Sequence, residues 1–259
     1  MKKLIAVLLT SILISTTGIA EVKTENIEYK ENGVTLKGFL AWDDSLKGKR
    51  PGVLVVHEWW GLNDYTRSRA KELASLGYVA FALDMYGAGE NTEHPDKASG
   101  MMEHLQKNEP LLLSRAKAGL AVLKNNALVD SSSIAGIGYC FGGYVILKMI
   151  YSGEDLKAGV TFHGSLPVPE DTSKIKSRIL ILHGEKDSFI PDKNINGVKE
   201  AFNKAKVNYE FISYPDAVHG FTVPGAEKRG IKGIAYNENA DKQSWAKMQQ
   251  LFKEVFSKK

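Results

Sequence analysis

Short apolar runs alternate with longer amphipathic stretches along the chain. Ile27 to Lys30 and Val34 to Ala41 flank the turn-forming Glu31-Asn32-Gly33 and predict a hairpin. After the polar connection Trp42 to Arg50, Pro51-Gly52 opens the unbroken apolar run Val53-Leu54-Val55-Val56. Runs of this kind belong to parallel strands covered on both faces. A helix follows from Tyr65 to Leu76, with Ala70, Leu73, Ala74 and Leu76 as its inward stripe and Gly77 as its stop. Tyr78 to Ala82 is the next strand. Beyond a glycine-rich loop, the pattern predicts helices over Pro95 to Lys107 and Leu111 to Asn125, a strand at Ile134 to Ile137, and a helix from Phe141 to Tyr151. Ala158 to Phe162 and Ile179 to Leu182 read as strands, Asn194 to Lys206 as a helix, Tyr209 to Tyr214 as a strand and Glu238 to Phe256 as a terminal helix.

Strands and helices in this alternation predict an α/β fold, a mostly parallel central sheet with helices on both faces. No internal repeat or biased linker divides the chain, so residues 21–259 are expected to form a single domain. Sheets of this type bind ligands beyond the carboxyl ends of their strands. That rule singles out His57-Glu58, Asp84, Gly138 to Cys140, His163, His183 to Asp187 and the loop around His219.

The first twenty residues change the setting. Lys2 and Lys3, the apolar stretch Leu4 to Ile14 and the small residues around Gly18-Ile19-Ala20 read as a signal peptide. The protein is therefore expected to be exported, periplasmic or secreted, with no stable membrane anchor once the leader is cut. Loss of Lys2 and Lys3 takes the formal charge from +4 to +2. That near balance, without zinc-finger spacing or a basic helix, argues against a nucleic-acid partner. Oligomeric state is not legible. Cys140 is the only cysteine. In an oxidising compartment an unpaired thiol is buried, dimerising or used.

Its surroundings favour use. Gly138-Tyr139-Cys140-Phe141-Gly142 lies between a strand and a helix, the Gly-x-nucleophile-x-Gly pattern of a sharp turn that strains and exposes its central residue. The helix N-terminus beyond it favours thiolate over thiol. The competing readings are a structural cysteine and a dinucleotide loop, and the latter lacks its last glycine at Phe141. In the chain order nucleophile, acid, histidine, the acid is Asp187 or less favourably Glu185, and the base is His219. His57, His163 and His183 carry no metal-ligand spacing, so neither a metal nor a cofactor is expected. In His57-Glu58-Trp59-Trp60-Gly61, the N–H of Trp59 with that of Phe141 is a candidate oxyanion hole. Trp60, Tyr86 and Phe221 are candidate pocket walls, with core packing the alternative for the indoles of Trp59 and Trp60, and Glu58 is a carboxylate able to regulate the thiol. Loops 87–99 and 224–237 are candidate lids.

These motifs, with Asp84-Met85-Tyr86-Gly87, His183-Gly184-Glu185-Lys186-Asp187 and His219-Gly220-Phe221, resemble the dienelactone hydrolase family of the α/β-hydrolase superfamily, from about Glu25 to Phe256. The resemblance implies the α/β-hydrolase fold, a Cys140–His219–Asp187 triad and an acyl-enzyme route that opens a small-molecule ester or lactone. It also implies that Glu58 interacts with the cysteine until substrate arrives. Two arginines that hold the substrate carboxylate in the founding activity are replaced here by Ala88 and Val223. A neutral or apolar substrate is therefore expected, unless a cation such as Lys228 or Arg229 arrives from another loop. A non-catalytic binding protein on the same scaffold and a thiol acyl or peptide hydrolase are the other readings.

Overall fold

The computed structural model describes residues 21–257, so the leader expected at residues 1–20 lies outside the described residues. The chain opens with β1 (Val22–Glu31) and β2 (Val34–Asp43), joined by Asn32-Gly33, both at positive φ. A two-residue loop of that kind matches the right-handed twist of the strands it joins. Then come β3 (Arg50–Val56), α1 (Asp64–Ser75), β4 (Val79–Leu83), α2 (Pro95–Gln106), α3 (Glu109–Asn125), β5 (Val129–Tyr139) and α4 (Phe141–Tyr151). The remainder is β6 (Ala158–Phe162), β7 (Arg178–Gly184), α5 (Asp192–Ala205), β8 (Tyr209–Tyr214), a 3-10 turn at Ala226–Arg229 and α6 (Glu238–Phe256). Helices α1, α3 and α6 each start at an asparagine (Asn63, Asn108, Asn237) whose side chain accepts a backbone N–H three residues on.

The eight strands form one sheet in the order β1-β2-β4-β3-β5-β6-β7-β8. The β1–β2 and β2–β4 pairs are antiparallel and all others parallel. Alternate residues of the central strands feed two cores. Leu54, Val56 and Ile134 pack with Leu120 of α3, Val145 of α4 and Phe202 of α5. Val53, Val55 and Ile137 pack with Leu73 of α1 and Leu251 of α6 on the other face. Every expected strand and helix is present. Two strands begin five residues before their expected starts, β1 at Val22 and β5 at Val129; in β5 the added residues precede its apolar run. The polar stretch Asp130 to Ser133 hides that start, and the pairing with β3 shifts register at Pro51/Gly52.

This order places the ends of β3, β4, β5, β6 and β7 along one edge, with the loops that follow them. Both candidate lids are tied down there. Thr92 N–H donates to the Trp60 carbonyl at 2.9 Å and Ala235 N–H to the His219 carbonyl at 3.2 Å. Among the described residues, no helix is long and apolar enough to cross a membrane.

Candidate active site

Cys140 sits between β5 and α4 with φ 52° and ψ −114°. A non-glycine residue held at positive φ costs about 1–3 kcal/mol, so its surroundings must over-determine it. They do so through backbone contacts. Cys140 N–H donates to the Phe162 carbonyl at 3.0 Å, and its own carbonyl accepts from Gly143 at 3.0 Å and Ser165 at 3.3 Å. The flanking glycines are required by space. A Cβ on Gly138 would stand 2.1 Å from the Gly142 carbonyl oxygen, and one on Gly142 would stand 2.2 Å from that of Val56. The second contact seats the first turn of α4 directly on the end of β3. The sulfur-bearing residue is 8% exposed.

His219 and Asp187 meet from separate strand ends. His219 Nδ1 lies 2.8 Å from Asp187 Oδ2, while Asp187 Oδ1 accepts the Phe189 N–H at 2.9 Å. The β7 turn is drawn to the His219 loop by Lys186 N–H, which donates to the Ala217 carbonyl at 2.9 Å. Glu185 points out and is exposed, so of the two candidate acids only Asp187 reaches the imidazole. Burial opposes a charge on His219, but the adjacent Cys140 and the bond to Asp187 outweigh it and hold the ring well above the ordinary histidine pKa. Behind His219, the buried His163 packs edge-on at 5.2 Å between centroids. Its Nε2 meets Thr222 Oγ1 at 2.8 Å. Burial, reinforced by the His219 charge, holds His163 well below the ordinary histidine pKa.

The loop after His219 has a second anchor. Arg69 of α1 donates to the Thr222 carbonyl at 2.9 Å and to Asp241 of α6 at 2.5 Å. This buried link spans more than 150 residues of chain, and no local pattern in the sequence signals it.

At the end of β3, His57 is fully buried and Glu58 is 5% exposed. Desolvation raises Glu58 to about 6, with the His219 and Arg229 charges pulling the other way. Tyr86 donates its hydroxyl to the Trp59 carbonyl at 2.8 Å and stacks on Phe141 at 6.0 Å. Asp84 is a structural carboxylate rather than a reactive one. It accepts the N–H groups of Lys37, Tyr86, Gly87 and Gly89 at 2.8–3.0 Å and so shapes the turn that carries Tyr86. Among the described residues, neither the Trp59 nor the Phe141 N–H has a protein acceptor. Both remain available to a ligand.

Two expected pocket walls are corrected. Phe221 is wholly buried against His163 and Tyr214, because Gly220 at φ 70° turns the chain inward straight after His219. The Trp60 ring is buried too, under the Arg229 guanidinium at 4.0 Å. Phe189, which the sequence did not single out, is 46% exposed with its ring 5.0 Å from that of His219. Ala88 is exposed and its N–H is committed to the Thr35 carbonyl at 2.7 Å, whereas Val223 is buried. Neither supplies a cation. Arg229 does arrive from the 3-10 turn, with one buried guanidinium nitrogen lacking a protein partner. Among the described residues, no cluster of three or more His, Cys, Asp or Glu side chains could hold a metal.

Residues 36–256 match the family described as the dienelactone hydrolase family. The structure is similar to that of m3DLH, at 38% identity and a TM-score of 0.88, covering 91% of this chain and 99% of that one. It is also similar to a dienelactone hydrolase-like promiscuous phosphotriesterase from metagenomic libraries, at 36% identity and a TM-score of 0.87 with the same coverage. A putative carboxymethylenebutenolidase from Synechocystis sp. is 28% identical over 250 residues, 90% of this chain and 97% of the relative. The α/β-hydrolase fold is shared with these solved structures, and the protein is a hydrolase.

Proposed function

The chain belongs to the dienelactone hydrolase family, and from that premise we propose that it cleaves carboxylic ester or lactone bonds through Cys140. The observation that carries the reading is a strained cysteine at a helix N-terminus beside a buried histidine that Asp187 holds at 2.8 Å. His219 keeps the sulfur as thiolate and carries the proton. The thiolate attacks the carbonyl carbon, and the Trp59 and Phe141 N–H groups receive the negative oxygen. His219 then protonates the departing alkoxide. Water, activated by His219, hydrolyses the thioester and restores Cys140. Asp187 fixes the imidazole tautomer throughout. Glu58 is the carboxylate that tunes the thiol.

The substrate of this reading is small and uncharged. Trp59 and Phe189 offer aromatic surface, and the Arg229 charge is offset by that of Glu58. A phosphotriester, the class named for one relative, is likewise uncharged. Residues 1–20 support export to the periplasm or beyond. The test is hydrolysis of p-nitrophenyl acetate by wild type and Cys140→Ala. Loss of turnover in the variant is expected, and retained turnover refutes the cysteine mechanism. Cleavage of peptides in preference to esters would favour the thiol peptidase reading instead.

A further inference from the structure

His57 contacts two backbone groups, and one contact dictates the other. Nε2 lies 3.2 Å from the Met85 amide nitrogen. A backbone N–H can only donate, so Nε2 accepts and bears no proton. The neutral ring then carries its proton on Nδ1, which donates to the Glu58 carbonyl at 2.5 Å. A second proton on Nε2 would set donor against donor. Burial works in the same direction and lowers the His57 pKa. The ring is 0% exposed and packs against Tyr86 at 5.0 Å and Phe141 at 6.3 Å between centroids. Met85 is itself held in place, since Arg115 donates to the Met85 and Tyr86 carbonyls at 2.7 and 2.8 Å.

The Glu58 carbonyl and the Trp59 N–H belong to one peptide unit. No described peptide bond is cis, so the two groups point in opposite directions across a rigid plane. Pinning the oxygen therefore aims the hydrogen. The oxygen takes two donors, His57 Nδ1 and, more weakly, Gly61 N–H at 3.3 Å. Tyr86 pins the following plane through the Trp59 carbonyl. Gly142, pressed against the Val56 and His57 carbonyls, brings the Phe141 N–H alongside.

We infer that His57 is a positioning residue for the oxyanion hole: its Nδ1–H, held in that tautomer by Met85, aims the Trp59 N–H at the oxygen that becomes negative when Cys140 attacks. The inference rests on the proposed nucleophile.

Two near-isosteric variants separate this role from simple packing. His57→Asn puts an amide nitrogen where Nδ1 stands and keeps the donor to Glu58. His57→Gln reaches the Nε2 position with an oxygen that accepts from Met85, leaving the Glu58 carbonyl to Gly61. With p-nitrophenyl acetate, kcat in the Gln variant should fall about 10- to 100-fold below that of the Asn variant, part of what loss of an oxyanion donor costs. KM should stay within about threefold of wild type. Alkylation of Cys140 by iodoacetamide, which develops no oxyanion, should change little in either. Equal kcat losses in both variants, or alkylation falling in step with kcat, would overturn the inference. Nitrogen NMR of wild-type protein labelled at histidine gives a reading free of folding effects. A Nδ1–H, non-titrating His57 is expected, and a Nε2–H or titrating ring would overturn it. Cys140→Ala retaining ester turnover removes the nucleophile and the inference with it, yet leaves the tautomer signal intact, so the two failures are distinguishable.

Discussion

Replacing Glu58 by glutamine removes a charge but almost no volume, so the change reports on ionisation rather than packing. Desolvation raises this carboxyl from 4.5 to about 6, against the pull of the His219 and Arg229 charges. The fold therefore favours the neutral acid. For a raised pKa, the stabilisation is fully present below the unfolded value of 4.5 and is lost as pH rises through about 6. At 1.36 kcal/mol per pH unit, the difference amounts to about 2 kcal/mol. Wild type carries that burden at neutral pH, and the Gln variant does not. Urea unfolding of both proteins at about pH 4 and about pH 7.5 measures it, since groups common to the two cancel in the difference. The stability gap should move by about 2 kcal/mol in favour of Glu58→Gln between the acid and neutral conditions. A gap that stays constant refutes the account of a desolvated carboxylate. Iodoacetamide rates over the same range test its link to the sulfur: the wild-type profile should inflect near 6. Identical profiles in the two proteins would sink the proposal that Glu58 tunes Cys140. A stability cost of this size at the reaction centre is what a group kept for chemistry rather than folding would impose.

Asp187→Asn should lower kcat by about 10⁴-fold, the effect of losing the correct histidine tautomer in comparable triads. It should also move the alkaline limb of activity to lower pH, because His219 loses one of the partners that raise it. A pH–rate profile with an unmoved limb would refute that assignment. Arg229→Met removes one of the two charges, His219 being the other and larger, that hold Glu58 down, so the Glu58 inflection in thiol alkylation should rise above about 6. On a matched pair of neutral and carboxylate-bearing lactones, wild type should favour the neutral one in kcat/KM. A strong preference for the anionic lactone would show that Arg229 is free to bind substrate rather than offset by Glu58.

What was legible in the sequence follows from how local each determinant is. The elbow was readable because its signature lies within five residues: Gly138 is held to glycine by the Gly142 oxygen 2.1 Å from where its Cβ would be, although the oxygen 2.2 Å from a Cβ on Gly142 belongs to the distant Val56. The order of strands and helices was readable for the same reason, since apolar runs and asparagine caps are short-range signals. The start of β5 was not, because its first residues are polar and its pairing with β3 is irregular. The sequence favoured Asp187 over Glu185, and which of the two faces the imidazole is set by the way the β7 turn points. The bond from Lys186 to the Ala217 carbonyl supplies that direction. Phe221 followed its catalytic-looking neighbours in sequence but not in space, because one residue at positive φ sends it into the core. Arg69 acts on the site from a distant helix with no local signal in the sequence, whereas Arg229 was one of two cations that loop folding could deliver, and the structure selects it. Reaction chemistry in this fold depends on strand ends, which sequence order reveals. Substrate charge and the aim of the oxyanion donors depend on what the loops deliver. The sulfur and its histidine stand at such strand ends, while preference among uncharged and charged lactones turns on a single guanidinium resting 4.0 Å above Trp60.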